Sequence, residues 1–236
     1  RRYLLGRQLD SVMNYPFREA ILGYLTGGDP SAMMERILTI VENYPPQVLR
    51  LLMNHIGTHD TERALTVLGG EPMGNRGREW QSTARLSPEQ RQRGILLLRL
   101  AAVMQFTLPG VPCIYYGDEA GMEGYKDPFC RRCYPWGSEN RELVGCYRRL
   151  GAMRARCDCL REGRLEPFSV DGQALSYFRT GEKDAIFCAV NRSDRPKTIY
   201  LPHEWHEAES LFGATLGANG ELFLPPFAPE LFENGA

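Results

Sequence analysis

Reactive side chains in this sequence concentrate in Asn54-His-Ile-Gly-Thr-His59-Asp60-Thr-Glu-Arg63. An imidazole beside a carboxylate on one rigid turn can hydrogen-bond two sugar hydroxyls, and a charged partner strengthens each such bond. The same residues also fit a plain loop, in which Asp60 pairs with Arg63 and His59 caps the next helix. The cluster alone leaves these two uses even. Further polar groups stand in Tyr115-Tyr116-Gly117-Asp118-Glu119 and in Asn14-Tyr15. Trp136, Tyr15 and Tyr116 offer flat aromatic faces on which a ligand could stack, with ordinary packing as the alternative for each. Cys130-Arg-Arg-Cys133 has C-x-x-C spacing, and Cys157-Asp-Cys159 lies further on. C-x-C complements C-x-x-C poorly as a zinc site, no His lies near either pair, and no thioredoxin-like unit precedes them. The expectation is free thiols in a cytoplasmic protein, with no metal and no cofactor.

Working residues of parallel α/β folds sit just past the carboxyl ends of strands, so strands must deliver these groups. Strand candidates lie at residues 9–15, 48–54 and 111–116, the second nearly all apolar, as a strand buried on both faces would be. Between them run helical patterns. Residues 17–25 end at Gly27-Gly28, and Asp29-Pro30 opens a helix to about Asn43, ended by Pro45-Pro46. A glycine-rich loop covers residues 69–86, and Ser87-Pro-Glu-Gln90 then has the form of a capping box opening a helix to Leu108. Residues 139–156 form another amphipathic helix. Strand alternating with helix is the pattern of parallel βα units. Near Cys157 the pattern changes to short strands at 164–170, 174–180, 185–191, 198–201 and 221–224, punctuated by Asp171-Gly172, Thr180-Gly181 and Ser193-Asp194. These predict an antiparallel β unit, a small sandwich.

The totals exclude several classes. With 236 residues, 43% apolar and 24% charged, the composition is that of a globular protein, and a net charge of −1 argues against nucleic acid or an anionic membrane as partner. The most apolar stretch, residues 94–108, is interrupted by Arg99 and Gln105. It is also shorter than the roughly 17–25 residues that span a bilayer. The chain opens Arg1-Arg2-Tyr3, with neither initiator Met nor signal pattern, so the expectation is a removed leader or a start inside a longer protein.

Asn54-His-Ile-Gly-Thr-His-Asp-Thr-Glu-Arg-Ala-Leu-Thr-Val-Leu-Gly-Gly70 closely resembles the last signature region of the α-amylase family of glycoside hydrolases. Gly110-Val-Pro-Cys-Ile-Tyr-Tyr-Gly-Asp-Glu-Ala-Gly-Met122 resembles that family's eighth barrel strand. Asp127-Pro-Phe-Cys-Arg-Arg-Cys-Tyr-Pro-Trp136 resembles the following loop in the neopullulanase, cyclomaltodextrinase and maltogenic amylase branch, and Leu9-Asp-Ser-Val-Met-Asn-Tyr-Pro-Phe17 is similar to its sixth strand. The resemblance implies an α/β chain whose residues 1–157 form the C-terminal part of a (β/α)8 TIM barrel, about strands 6–8 with their helices. Residues 158–236 would be an antiparallel β-sandwich.

It further implies a retaining hydrolase cleaving α-1,4 and in some members α-1,6 glucosidic bonds. Asp60 would stabilise the distorted transition state, and His59 would bond the same sugar. Arg63, Tyr15, Tyr116 and Trp136 join them as substrate-binding candidates. The partners implied are maltooligosaccharides, pullulan or cyclodextrins in a full-length parent. The nucleophile and acid/base belong to the fourth and fifth strands, which this chain lacks, so the chain alone is expected to be inactive. Open edges on the first and third strands would promote self-association through Val12, Leu51 and Ile114. The alternatives are a non-catalytic relative and a carbohydrate-binding scaffold. The β unit as a separate binding module is disfavoured by the lack of an exposed aromatic row, with Trp205 alone beside Tyr200 and Phe212.

Overall fold

Side-chain caps and prolines fix where the helices begin. In the computed structural model, which describes residues 3–4 and 7–235, α1 spans Tyr15–Leu25 and the Asn14 side chain accepts from the Phe17 amide at 3.3 Å. Arg1 and Arg2, on which the reading of the chain's start rests, lie outside the described residues. Helix α2, Pro30–Asn43, is capped by Asp29 with Pro30 in its first turn. The short α3 is Pro46–Leu49, and the strand β1 is only Met53–Asn54. Helices α4 (Ala64–Gly69) and α5 (Arg78–Thr83) precede α6, Pro88–Thr107, which opens with the complete Ser87/Gln90 capping box. The strand β2 is Val111–Pro112, and α7 (Arg141–Arg156) and α8 (Asp158–Glu162) follow.

The expected strands are far shorter than their apolar runs. Residues 48–54 do not form one strand, because Pro46 pre-sets a helical turn and the Val48 amide bonds back to the Pro45 carbonyl at 2.9 Å. Residues 9–15 contribute only the parallel bridge Met13↔Met53, since Asn14 is already committed to capping α1. Residues 111–116 pair only at Val111 and Pro112, and the chain then turns at Gly117, whose φ is +88°. What remains is a short parallel ladder with Met53 in the centre. The Asn14 amide donates to Met53, Met53 to Val12, Val111 to Leu52, and Cys113 to Asn54, at 2.7–3.1 Å. The loop expected over residues 69–86 contains α5.

Antiparallel strands β3 (Arg164–Asp171), β4 (Ala174–Thr180), β5 (Asp184–Asn191), β6 (Lys197–Tyr200), β7 (Glu209–Ser210), β8 (Glu221–Leu224) and β9 (Pro229–Gly235) complete the fold. They form a five-stranded sheet, β3-β4-β5-β9-β7, and a two-stranded sheet, β6-β8. The sequence reading missed β7 and β9. Pro229, Glu230 and Glu233 disguise β9, but Glu230 is buried, accepting from Ser210 Oγ at 2.9 Å and from the Phe212 and Leu231 amides.

One apolar core runs from the helices into the larger sheet, joining Tyr24, Leu97, Met104 and Leu150 to Tyr177, Cys188 and Leu231. The buried Arg179 fastens the two regions by donating to the carbonyls of Thr107, Cys159 and Gly163, and Thr107 Oγ1 lies 2.6 Å from the Tyr177 hydroxyl. A second cluster, Phe187, Leu201, Trp205, Leu222 and Phe232, draws on both sheets. Among the described residues no helix is long and apolar enough to cross a membrane.

Candidate functional site

Buried amides hold the ends of the parallel ladder in place. Asn14 Nδ2 donates to Asn54 Oδ1 at 2.9 Å, Asn54 Nδ2 donates to the Pro109 carbonyl at 2.8 Å, and Gln105 Nε2 bonds the carbonyls of Asn54 and Cys113. The chain leaves β1 through His55, which is buried with Nδ1 3.1 Å from the Met53 carbonyl. Burial lowers the pKa of His55, so its imidazole stays neutral. Beyond Gly57, Thr58 Oγ1 accepts from the Asp60 amide at 3.2 Å and contacts Thr61, which closes a tight polar turn.

That turn presents His59 and Asp60 together at the surface. His59 Nε2 is 3.2 Å from Asp60 Oδ1, and the side chains are 51% and 57% exposed. The Tyr15 hydroxyl, at the start of α1, donates to Asp60 Oδ2 at 3.3 Å, and its ring meets His55 edge-on. Arg131 brings a guanidinium within 3.9 Å of Asp60 and is held by Asp127 at 2.6 Å. Cys130 Sγ donates to the His59 carbonyl at 3.4 Å. Three segments distant in sequence thus converge on one carboxylate, which keeps open valences toward solvent. Arg131 went unnoticed in the sequence because its partner on the site is distant; its spacing of four from Asp127 was the available signal.

Arg63 corrects the sequence reading on both counts. Its guanidinium is fully buried, so it cannot touch a ligand, and it does not pair with Asp60. It turns inward to Asp118 at 3.5 Å, donates to the carbonyls of Cys130 and Tyr116, and lies 4.2 and 4.6 Å from the ring centres of Tyr115 and Tyr116. Its own amide donates to the Gly124 carbonyl at 2.9 Å. Asp118 is equally buried, and loss of solvation pushes its pKa up to about 7, against the opposing pull of Arg63. The Asp118–Arg63 pair therefore ties the loop after β1 to the loop after β2 beneath the site.

Tyr116 is committed partly to Arg63 and partly to the Arg132 carbonyl, which accepts from its hydroxyl at 2.8 Å, yet it remains 41% exposed. Trp136 is 83% exposed and leans on Tyr134 at 4.6 Å. A cavity of about 690 Å³ opens nearby, lined by Glu62, Glu71, Arg93, Tyr125 and Lys126, but Asp60 is not in its wall. All seven cysteines are free thiols, and among the described residues no three His, Cys, Asp or Glu side chains cluster as a metal site would require.

Residues 1–186 match the family described as "Alpha amylase, catalytic domain". The chain is 34% identical to a cyclomaltodextrinase of Geobacillus thermopakistaniensis, over 98% of this chain and 37% of that protein. It is also 34% identical to neopullulanase 2 of Thermoactinomyces vulgaris, over 84% of this chain and 31% of that protein. Among solved structures it is similar to the type III pullulan hydrolase from Thermococcus kodakarensis, with a TM-score of 0.79 and 25% identity, over 99% of this chain and 38% of that one. The chain spans about a third of the length of these relatives. On sequence and fold together, it belongs to the α-amylase family, in the branch that holds cyclomaltodextrinases and neopullulanases.

Proposed function

We propose that this chain is the part of a retaining α-glucan hydrolase that grips the sugar at the point of cleavage. The reading is carried by the His59–Asp60 pair, half exposed and steered by Tyr15 and Arg131. Asp60 bonds ring hydroxyls of the distorted, oxocarbenium-like sugar, and His59 bonds the same sugar from the adjacent position. A carboxylate poised by neighbours that occupy only part of each oxygen's capacity keeps the rest for hydroxyls, and gains most where the transition state brings them closest. Tyr15 fixes the carboxylate's rotamer, while Trp136 and Tyr116 are the stacking surfaces for neighbouring glucose units.

In this reading the Met13, Met53 and Val111 segments are the sixth to eighth strands of a (β/α)8 barrel occupying residues 1–157, and residues 158–236 form a β-sandwich. The substrates are maltooligosaccharides, cyclodextrins or pullulan, cleaved at α-1,4 bonds with α-1,6 bonds as a second class. The relatives' names, cyclomaltodextrinase and neopullulanase, support that range. Free thiols throughout support a reducing, cytoplasmic setting. Retention needs a nucleophile and a separate acid/base, and the family pattern assigns neither role to any carboxylate of this chain. The 236-residue chain alone is therefore inactive, and it self-associates through its exposed ladder face.

The test uses a full-length parent enzyme carrying Asp60→Asn, assayed on maltotriose and on cyclodextrin. The expected outcome is a severe fall in kcat with a much smaller change in KM. A variant that loses only affinity, with kcat preserved, would make Asp60 an ordinary binding group. Turnover of either substrate by the 236-residue chain, purified free of host amylase, would overturn its predicted inactivity.

A further inference from the structure

The β unit carries an aromatic surface that the sequence reading did not find. Trp205, the ring singled out there, is buried, whereas Tyr200 is 62%, Phe223 59% and Phe168 40% exposed. Register places Thr198 opposite Phe223 and Tyr200 opposite Glu221, so Tyr200 and Phe223 lie diagonally on one face of the β6-β8 sheet. Phe168 is the extra residue of a β-bulge in β3, since the pairing steps from Pro167↔Tyr177 to Ser169↔Ser176 and leaves it unpaired. A bulge of this kind re-aims a side chain. Phe168 is braced edge-on against Phe178 at 5.0 Å and Phe187 at 5.9 Å, so the core holds the ring rigid while part of it faces out.

Phe168 and Tyr200 wall a cleft of about 330 Å³ that also takes in Asp171, Lys197 and Thr198. This is the lower end of the range for small-ligand sites, about 300–1,000 Å³. Lys197 donates to Asp171 at 2.9 Å, and among the described residues these are the only charged side chains that line the cleft. The pair neutralises itself while keeping spare donor and acceptor capacity, so the cleft complements a neutral ligand rich in hydroxyls. Aromatic faces alternating with a hydroxyl and a paired charge match a pyranose, which has an apolar C–H face and a polar rim. A protein partner would instead want a contiguous apolar centre, with about 800 Å² buried on each side.

We propose that this cleft and the adjoining Tyr200–Phe223 face form a second α-glucan-binding site, separate from Asp60, that holds a linear α-1,4-linked chain. The choice of glucan rests on the function proposed above; the site itself rests on the exposed rings, the bulge and the neutral cleft. It anchors the polymer without cleaving it.

Affinity electrophoresis of the 236-residue chain through gels containing soluble starch tests this, with Tyr200→Ala/Phe223→Ala and Asp60→Asn run beside the wild type. The wild type should be retarded, the double variant should bind starch at least tenfold more weakly, and Asp60→Asn should be retarded like the wild type. Tyr200→Phe should keep the retardation, and thermal melts should show that each variant is folded. Retardation that survives the double substitution, that vanishes only with Asp60→Asn, or that is missing from the wild type overturns the second site. A double variant that changes oligomeric state in light scattering while binding starch normally would assign the face to a protein partner and overturns it equally. Failure of the glycosidase reading registers separately, as full kcat in the Asp60→Asn parent enzyme.

Discussion

Asp60 and Asp118 follow neighbouring segments of one parallel ladder, yet their surroundings set them to opposite work. Asp60 is half exposed among hydrogen-bonding neighbours, whereas Asp118 is sealed in the interior with the Arg63 guanidinium 3.5 Å away. Because burial raises the Asp118 pKa from 3.8 to about 7, the folded state binds a proton that the unfolded state has released between those values. Stability from this group is therefore present at low pH and is lost as pH rises through that window, by on the order of 4 kcal/mol. Asp118→Asn removes the dependence, so the melting temperature of the variant relative to wild type should climb between pH 4 and pH 8. A relative fall over that range would mean that Arg63 holds Asp118 as a carboxylate. Arg63→Ala should cost about 3–5 kcal/mol in chemical denaturation, since it strands a buried partner and leaves two carbonyls without their donor.

Adjacency made the His59–Asp60 pair legible in the sequence. The same adjacency misassigned Arg63, because its true partners at Tyr116, Asp118 and Cys130 are brought to it only by the fold. Gly57 is part of that arrangement. A Cβ there would collide with the Asp118 carboxylate, a restriction that no local pattern reveals.

At the scale of elements, the four long helices were readable, whereas the short helices and the parallel strands were not. Caps are local chemistry, so Asp29-Pro30 and Ser87-Pro-Glu-Gln90 announce α2 and α6 within a turn of where they begin. Ser87→Ala should accordingly cost about 1 kcal/mol in denaturant melts, with the site geometry unchanged. A strand exists only where a partner pairs with it, and the apolar run at residues 48–54 holds a helical turn as well as β1. The antiparallel strands fared better because most are bounded by turn residues; the exceptions are β7, only two residues long, and β9, whose Glu230 is accommodated by contacts invisible in sequence. The ladder's stability lies in its amides more than in its length. Asn54→Ala should strip Asn14 of its acceptor and the Pro109 carbonyl of its donor, each a buried group worth about 1–3 kcal/mol when unsatisfied. In a full-length parent that variant should lose activity together with stability, whereas Asp60→Asn should lose activity alone. Equal melting temperatures for Asn54→Ala and wild type would show that the amide bridge is dispensable.

At the scale of the whole molecule, the ladder presents an apolar side to solvent. Leu51 is 48%, Ile114 42%, Val111 40% and Leu9 47% exposed, while the opposite side packs against α1 and α6. A run of uncovered aliphatic side chains beside unpaired backbone is what folded proteins avoid, because both surfaces gain by pairing with another copy. Asp10 and Pro112 are the only deterrents within residues 9–15 and 111–116, where no lysine falls. Fully burying such a side chain is worth about 1.5–3 kcal/mol and these are already about half buried, so the whole patch on both copies has to pair to offset an association cost of about 4–15 kcal/mol. The 236-residue chain should therefore form dimers or larger species, and the scattering-weighted mass should rise with concentration. Leu51→Lys with Ile114→Lys should return it to a monomer with an unchanged circular dichroism spectrum, because both side chains already face water. A wild-type chain that stays monomeric across the concentration series would show that the apolar face is tolerated in water and would remove the self-association proposed for it.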